Sequence, residues 1–493
     1  MRANLALMEK PLLAVLAALA LAGCAAGPDF KRPVATAPLA YTKEPLPAAT
    51  DSSTDVQRLL AGMDLPAEWW TLFRSPALNE LVEAALKANP NLQAAEASLR
   101  QARELVQAQR GFYLPTVQAG FSPTRQGVAA NTLSPTINSS ATVYNLYTGQ
   151  LSVSYNPDVF GANRRQVETL QALADAQRFQ VEAAYVTLTA NLVAAAIQEA
   201  SLRAQIHATE SIVQAQRETQ RLFQKQFDLG AIAQSEVVAQ AAQLAQIEAT
   251  LPPLNKALAI ERDLIAALAG RLPAEGPAES FDLSTLELPA DLPLSLPSEL
   301  VDHRPDVRAA EEQLHAASAQ IGMAAANRLP SFSITAERGA VATVLSQLFQ
   351  SGNAFWALGA GVSQTVFAGG TLAARQRAAQ AGYDQAAAQY RASVINAFQN
   401  VADALYALQF DAEALAAQTK AEQAASQSLD YAKKAYSFGA TTSLALITAT
   451  QTYQQAALNL AQARAARYTD TVALFQALGG GWWNRPQSAG SSR

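Results

Sequence analysis

Residues 90–102 read PNLQAAEASLRQA, and residues 305–317 read PDVRAAEEQLHAA. The two leading prolines are 215 residues apart, and Leu114-Pro115 returns as Leu329-Pro330 at the same spacing. Phe160 in DVFGANRR (158–165) is matched by Phe367 in TVFAGGTL (365–372), 207 residues later. Gly230 is matched by Gly439, and Gly270 by Gly479, both at 209. Blocks that match in the same order mark a duplicated unit of about 210 residues, far longer than the 20–50-residue period of a solenoid.

Each copy reads helix, strand, loop, strand, long helix, turn, helix. Asn89-Pro90 offers a helix cap and a proline at the first helical position, whereas Arg304-Pro305 offers only the proline. Pro115 and Pro330 mark helix-to-strand transitions, because proline removes a helical hydrogen bond. The segments beyond these prolines alternate. In TVQAGFS (116–122), Val117, Ala119 and Phe121 share a face; in LSVSYN (151–156), Leu151, Val153 and Tyr155 do. FSITAE (332–337) and WALGAGVS (356–363) repeat the pattern with Phe332, Ile334 and Ala336, and with Trp356, Leu358, Ala360 and Val362. Period two is the strand signature. An apolar face opposite a small or polar one suits a membrane strand with lipid outside and water inside. It equally suits a soluble sheet packed on one face.

The helices weigh on the choice. From Gly161 to Leu229 there is no proline and no glycine after the first residue, and from Gly370 to Phe438 only Gly370 and Gly382. Each stretch is 69 residues, or ~100 Å of helix. Such lengths imply a coiled or tubular assembly. Four strands cannot close a barrel, and an open edge cannot sit in lipid. Strands that span must therefore be shared among several chains.

Composition excludes other classes. Among 493 residues the charged share is 16% and the net charge −5, with no basic face for nucleic acid. There is one cysteine, Cys24, so disulfides within the chain and thiolate metal clusters are excluded. His207, His303 and His315 are scattered without metal-ligand spacing. No phosphate loop, dinucleotide loop or nucleophile elbow is present. No enzyme activity, cofactor, metal site or catalytic residue is expected. No apolar run approaches the length of a spanning helix.

The N-terminus carries Arg2 and Lys10, an apolar run LLAVLAALALA (12–22), and then Gly23-Cys24. This is a secretory signal, and its L-A-G-C end resembles the bacterial lipobox. Cleavage before Cys24 would change the net charge from −5 to −6. Lipid on the thiol would hold the new N-terminus to a membrane.

The stretch WWTLFRSPALNELVEAALKANPNLQAAEASLRQAR (69–103) resembles the N-terminal signature of TolC-like outer-membrane factors, in the lipoprotein NodT subgroup. GPDFKRP (27–33), SYNPDVFGANRR (154–165), DHRPDVRAAEEQLHAASAQIG (302–322) and ALGGGWW (477–483) resemble it too. The resemblance implies an α+β, mainly α fold. Four strands per chain give a twelve-stranded outer-membrane barrel in a homotrimer, continuing into a periplasmic helical barrel with an equatorial domain. It implies a passive exit duct that joins a periplasmic adaptor and an inner-membrane transporter, anchored in outer-membrane lipid, with no nucleic acid. Two departures stand where strand passes into helix: Asn156-Pro157 before Asp158, and QTVFAGG (364–370) for a motif with an acid or amide before its glycines.

The expected boundaries are a lipoprotein signal at 1–23, an N-terminal anchor and equatorial segment at 24–76, and a first repeat at 77–275. A Pro-rich linker occupies 276–297, then come a second repeat at 298–481 and a tail at 482–493. Loops at 126–147 and 341–354 face outside the cell, and Trp69-Trp70 and Trp482-Trp483 read as equatorial packing.

By resemblance, the turns FDLGAIAQSEVVAQ (227–240) and YSFGATTSLALITATQ (436–451) form the periplasmic tip that docks the adaptor. Gly230 and Gly439 also read as helix C-terminal glycines with positive φ. Leu444 and Thr448 lie one turn apart on one face. Thr448 stands where the family carries aspartate, which leaves Glu236 as the next candidate for an acidic ring; it also reads as a helix-start carboxylate. The competing reading is a structural or adhesive coiled-coil lipoprotein of the cell envelope, which has no use for strand pairs between its helices.

Overall fold

The structure, a computed structural model, describes residues 25–33, 40–44, 49–50, 56–127, 143–277 and 279–485. The signal, Cys24 and the end of the tail lie outside the described residues. In chain order the elements are β1 (Ala49–Thr50), β2 (Gln57–Ala61), α1 (Pro76–Ala88), α2 (Pro90–Arg110), β3 (Thr116–Gly127) and β4 (Val143–Tyr155). Then come α3 (Ala162–Asp228), α4 (Gln234–Glu248), α5 (Leu251–Leu268), β5 (Asp291–Leu294), α6 (Pro297–His303) and α7 (Pro305–Ala326). The chain ends with β6 (Ser331–Ala342), β7 (Ala354–Ser363), α8 (Thr371–Ser437) and α9 (Ser443–Ala477). The helix–strand–strand–long helix–return order runs twice, and α3 and α8 are each 67 residues long.

Three details differ from the sequence reading. The strands run further, to Gly127, from Val143, to Ala342 and from Ala354, into stretches expected as loops. Ladder hydrogen bonds hold these residues where side-chain alternation fades. The return helix of the first hairpin is broken between Glu248 and Leu251, where Pro252-Pro253 cannot sustain the preceding turn. And one 18-residue window of α3 is apolar and long enough to cross a membrane by composition; 56% of it is buried in the protein, as a core helix would be.

The chain divides into two compact units. One draws on Met1–Pro33, Leu99–Gln177 and Ala310–Tyr390, the other on Val34–Ser98, Arg178–Ala309 and Arg391–Arg493. Each takes residues from both repeats.

The first unit holds an antiparallel four-stranded sheet in the order β3-β4-β6-β7. Against its helices lies the segment 25–33. The Ala26 amide donates to the Phe160 carbonyl at 3.0 Å, and Arg165 donates to the Ala26 carbonyl, Asp29 and Glu168. Phe30 stacks on His315 at 4.4 Å. Glu312 and Glu168 both meet that imidazole, and the Glu312 hydrogen bond is the largest cause of its raised pKa.

The second unit has a small sheet in which β2 pairs parallel with β5 and antiparallel with β1. Its aromatic core gathers Trp69, Phe73 and Phe475, with Trp69 and Phe475 ring centres 5.5 Å apart. Trp70 is buried as well, and Trp483 stacks on His303 at 3.8 Å. The repeat is legible in contacts here. Asn89 donates to the Leu268 carbonyl and its counterpart Arg304 to the Ala477 carbonyl. A Cβ on Gly270 would stand 2.6 Å from the Ala88 carbonyl oxygen, and one on Gly479 2.5 Å from that of His303. The Asn89 side chain also accepts from the Asn91 and Leu92 amides, the cap that arginine cannot supply.

Gly27 combines a φ of +90° with a Cβ position 2.3 Å from the Cα of Gly322. Gly27→Ala is expected to lift 25–33 off the helices, and tryptic cleavage after Lys31 then rises roughly tenfold, since opening governs proteolysis. Gly62→Ala is the control: its φ is positive but nothing stands near its Cβ.

Candidate functional site

The strand register assigns the two faces of the sheet. Val117, Val153, Ala336 and Leu358 oppose one another across it, as do Ala119, Leu151, Arg338 and Trp356. These rows share the apolar face. The other face carries the row Gln118, Ser152, Glu337 and Ala357, with Thr116, Ser154, Thr335 and Gly359 on one side and Gly120, Gln150, Gly339 and Phe355 on the other. Among the described residues no second layer covers the apolar side: Trp356 is 78% and Leu358 74% exposed in the single chain. The alternation alone allowed a soluble sheet packed on one face. The missing layer favours lipid, because a naked apolar sheet in water would lose the burial that stabilises it. At the outer end the chain folds back, and Leu348 packs on Ala340, Ala342 and Tyr147.

Glu337 is the one charged side chain on the polar face among the described residues, and it makes no ion pair there. Arg338, the next residue, points to the apolar side beside Trp356, where a long stem can carry its charge to an interface.

Pro115 and Pro330 stand one residue ahead of β3 and β6. A 3-10 turn, Gly111–Tyr113, separates α2 from the first of them.

The two hairpin turns lie in the second unit and share one geometry. Gly230 has φ +72° and Gly439 +69°. The Ala231 amide donates to the Gln226 carbonyl at 2.8 Å, and the Ala440 amide to the Ala435 carbonyl at 2.8 Å. This is the Schellman closure, and it demands the left-handed conformation that glycine adopts freely. Nothing stands within 4 Å of either Cβ position, so conformation and not space requires the glycine. Behind the turns, Phe223, Val237, Leu429, Leu446 and Ala449 form a core that joins both hairpins, and Phe223 stacks on Tyr436 at 5.0 Å. Burial chiefly, and then Glu236, raises the Tyr436 phenol. Glu236 is half-buried in the first turn of α4. Leu444 and Thr448 are both exposed, in the first turns of α9 behind the Thr442 cap. The turns therefore bring Gly230, Glu236, Gly439, Leu444 and Thr448 to one end of the hairpins, and leave Leu444 off the core.

The sequence reading missed the polar seam between the hairpins. Gln240 donates to Gln216, Gln216 to Thr450, and Gln451 to Gln243. Glutamine at helical spacing is its only trace in the sequence, and solvent-facing glutamine looks the same. Glu199, fully buried, is held by Arg203 and Arg262. Nearer the end of α9, burial chiefly, with the hydrogen bond and charge of Asp411, pushes Asp470 up to about 7. Among the described residues no group of three or more His, Cys, Asp or Glu could hold a metal ion.

The sequence matches the family of outer membrane efflux proteins over residues 81–271 and 296–480. The chain belongs to this family. It is 30% identical over 492 residues to the toluene efflux pump outer membrane protein TtgF of Pseudomonas putida, covering 97% of this chain and 98% of that protein. It is 28% identical over 416 residues to the pyoverdine export outer membrane protein OpmQ of the same species, covering 84% and 88%. Among solved structures the outer-membrane channel OprN matches with a TM-score of 0.84 at 30% identity, covering 93% of this chain and all of that one. The open state of the MtrE channel of Neisseria gonorrhoeae matches at 0.78 and 26%, covering 94% and 100%. The fold is that of the trimeric outer-membrane efflux channels, and the protein is an outer-membrane efflux component with a periplasmic extension, an exit duct. The family is one of channels that work with an adaptor and an inner-membrane pump, not of enzymes.

In such a channel the polar face of the sheet lines the pore, and a trimer carries three Glu337 carboxylates there. Glu337→Gln is expected to reduce cation preference, read as a smaller reversal potential across a KCl gradient in planar bilayers; Glu337→Lys should turn it toward anions. Arg338→Gln, on the other face, should leave it unchanged.

Proposed function

We propose that this chain is a lipid-anchored, passive duct for small toxic compounds, held to the outer membrane through Cys24. Its two hairpin turns form the entrance that meets a periplasmic adaptor. Gly230 and Gly439 shape the turns, Glu236 is the candidate for an acidic ring in place of Thr448, and Leu444 and Thr448 face the axis. Pro115 and Pro330 end the helices where strands begin. The reading that the entrance closes at rest is carried by one observation: Leu444 is 69% exposed on its own chain, although apolar and next to a well-packed core. Three such leucines meeting on a threefold axis would make an apolar constriction, which gates by dewetting. Burying each is worth ~1.5–3 kcal/mol, an amount that adaptor docking can overcome. The names of relatives, which include toluene, solvent and antibiotic pumps, support an apolar or amphipathic cargo without naming one for this chain.

Leu444→Ser is expected to raise resting conductance and to admit vancomycin to cells without an adaptor. Loss of thermal stability with unchanged conductance would instead place Leu444 in trimer packing. Thr448→Asp should add a carboxylate ring, increase cation selectivity and create block by divalent or trivalent cations.

Cys24→Ser should abolish incorporation of labelled palmitate while the strands still insert. A palmitate-labelled product from that variant would refute the anchor.

A further inference from the structure

The two repeats leave one contact made and its twin unmade. After β4, Phe160 is half-buried and meets Phe332 at the start of β6, with ring centres 6.3 Å apart. Val159, Phe160, Leu329, Pro330 and Phe332 line a cavity of about 620 Å³ at the foot of these strands, and Phe112 and Leu114, just ahead of β3, open onto it as well. The knob thus comes from the first repeat and its seat from the second, and the strands they flank, β4 and β6, are paired.

The counterpart of the knob is Val366-Phe367, after β7. These residues are 94% and 89% exposed, among the most exposed apolar side chains of the chain. By the 215-residue spacing, Leu329 corresponds to Leu114 and Phe332 to Val117, with Phe112 two residues before Leu114. Phe112, Leu114 and Val117 are 62%, 68% and 66% exposed. A knob that meets no seat in its own chain therefore stands at the β7 edge, and Phe112, Leu114 and Val117 stay largely exposed at the opposite edge, β3, although Phe112 and Leu114 also border the cavity of the first knob. One chain cannot bring them together, because four strands do not close on themselves.

We infer that Val366-Phe367 seats against Phe112, Leu114 and Val117 of a second copy of this chain. Pairing β7 of one copy with β3 of the next brings knob to seat in the same movement, as the β4–β6 pairing does within the chain. The anchor selects the correct neighbour edge before the whole ladder has zipped, and it fills with protein a position that would otherwise present an aromatic ring to the membrane interface. The inference rests on the trimeric duct.

The test uses full-length protein extracted as trimers. Phe367→Cys combined with Val117→Cys is treated with a short thiol cross-linker and run in denaturing gels. The expected result is dimer and trimer bands from the double variant and none from either single variant, which also controls for Cys24. Phe160→Cys with Phe332→Cys should cross-link without any gain in mass. Phe367→Ala should dissociate roughly a hundredfold or more faster in detergent, the scale of one lost buried aromatic, and Phe367→Leu much less. Intact trimers without the 367–117 cross-link, or with the thiol introduced at position 367 labelled freely by a lipid-dissolved probe, would overturn the seat. Absence of any trimer from the unsubstituted protein would instead overturn the shared barrel.

Discussion

Backbone hydrogen bonding in hydrocarbon is the constraint on which the rest of this structure depends. Inside a bilayer an unpaired N–H or C=O has no water to turn to, and each costs several kcal/mol. β3 and β7 are both open edges of a four-stranded sheet with one apolar and one polar face. In lipid that sheet can exist only as part of a closed ring, so the oligomer is not an addition to the fold but a condition of it. The exposed apolar side chains of the single chain, from Val117 to Phe367, are a direct consequence. They are surfaces whose partners lie in lipid or in another copy.

Duplication is how one chain supplies several staves of such a ring. A ring needs the same contact at every seam, and a repeated sequence provides it with half the design. The pairs Asn89 to Leu268 and Arg304 to Ala477 show this at the level of single hydrogen bonds. The donors differ in type, yet each satisfies an orphan carbonyl near the end of a returning helix. Gly270 and Gly479 allow the same close approach in both copies. Divergence is permitted where the seam does not depend on it: Pro252-Pro253 breaks one return helix, while α9 runs 35 residues unbroken.

The long helices and the strand pairs were legible because they rest on local rules. Sixty-nine residues without a proline, rich in helix formers, can hardly be anything else, and period-two alternation is equally local. Strand ends were less so, because Tyr144, Asn145 and Tyr147 break the alternation while the neighbouring ladder still holds them. The small sheet was invisible, since β2 and β5 pair across more than 200 residues of sequence and β5 contains a proline. At the hairpin ends the two glycines were readable, because Schellman closure has a local signature. The setting of Glu236 against Tyr436 was not, because it depends on how two hairpins sit side by side. Buried glutamines were missed for the same reason. Sequence shows a polar residue, and only packing shows whether its amide faces water or another amide.

That polar seam bears on how a duct can be both stable and movable. A hairpin interface built only of large apolar side chains interlocks, and sliding it opens cavities that cost kcal/mol each. Here the apolar cluster of Phe223, Val237, Leu429 and Leu446 sits close behind the turns, while Gln216, Gln240 and Thr450 occupy the next layer. Amide pairs are directional but exchangeable, since each glutamine carries both donors and an acceptor and can re-pair with a neighbour or with water. Net hydrogen bonds of this kind are worth only ~0.5–1.5 kcal/mol. The turns are thus held rigid within themselves by Schellman closure and a small core, and joined to the helices above through contacts of modest strength. Such an arrangement lets the entrance shift as a unit when a partner docks, without unfolding the helices that carry it.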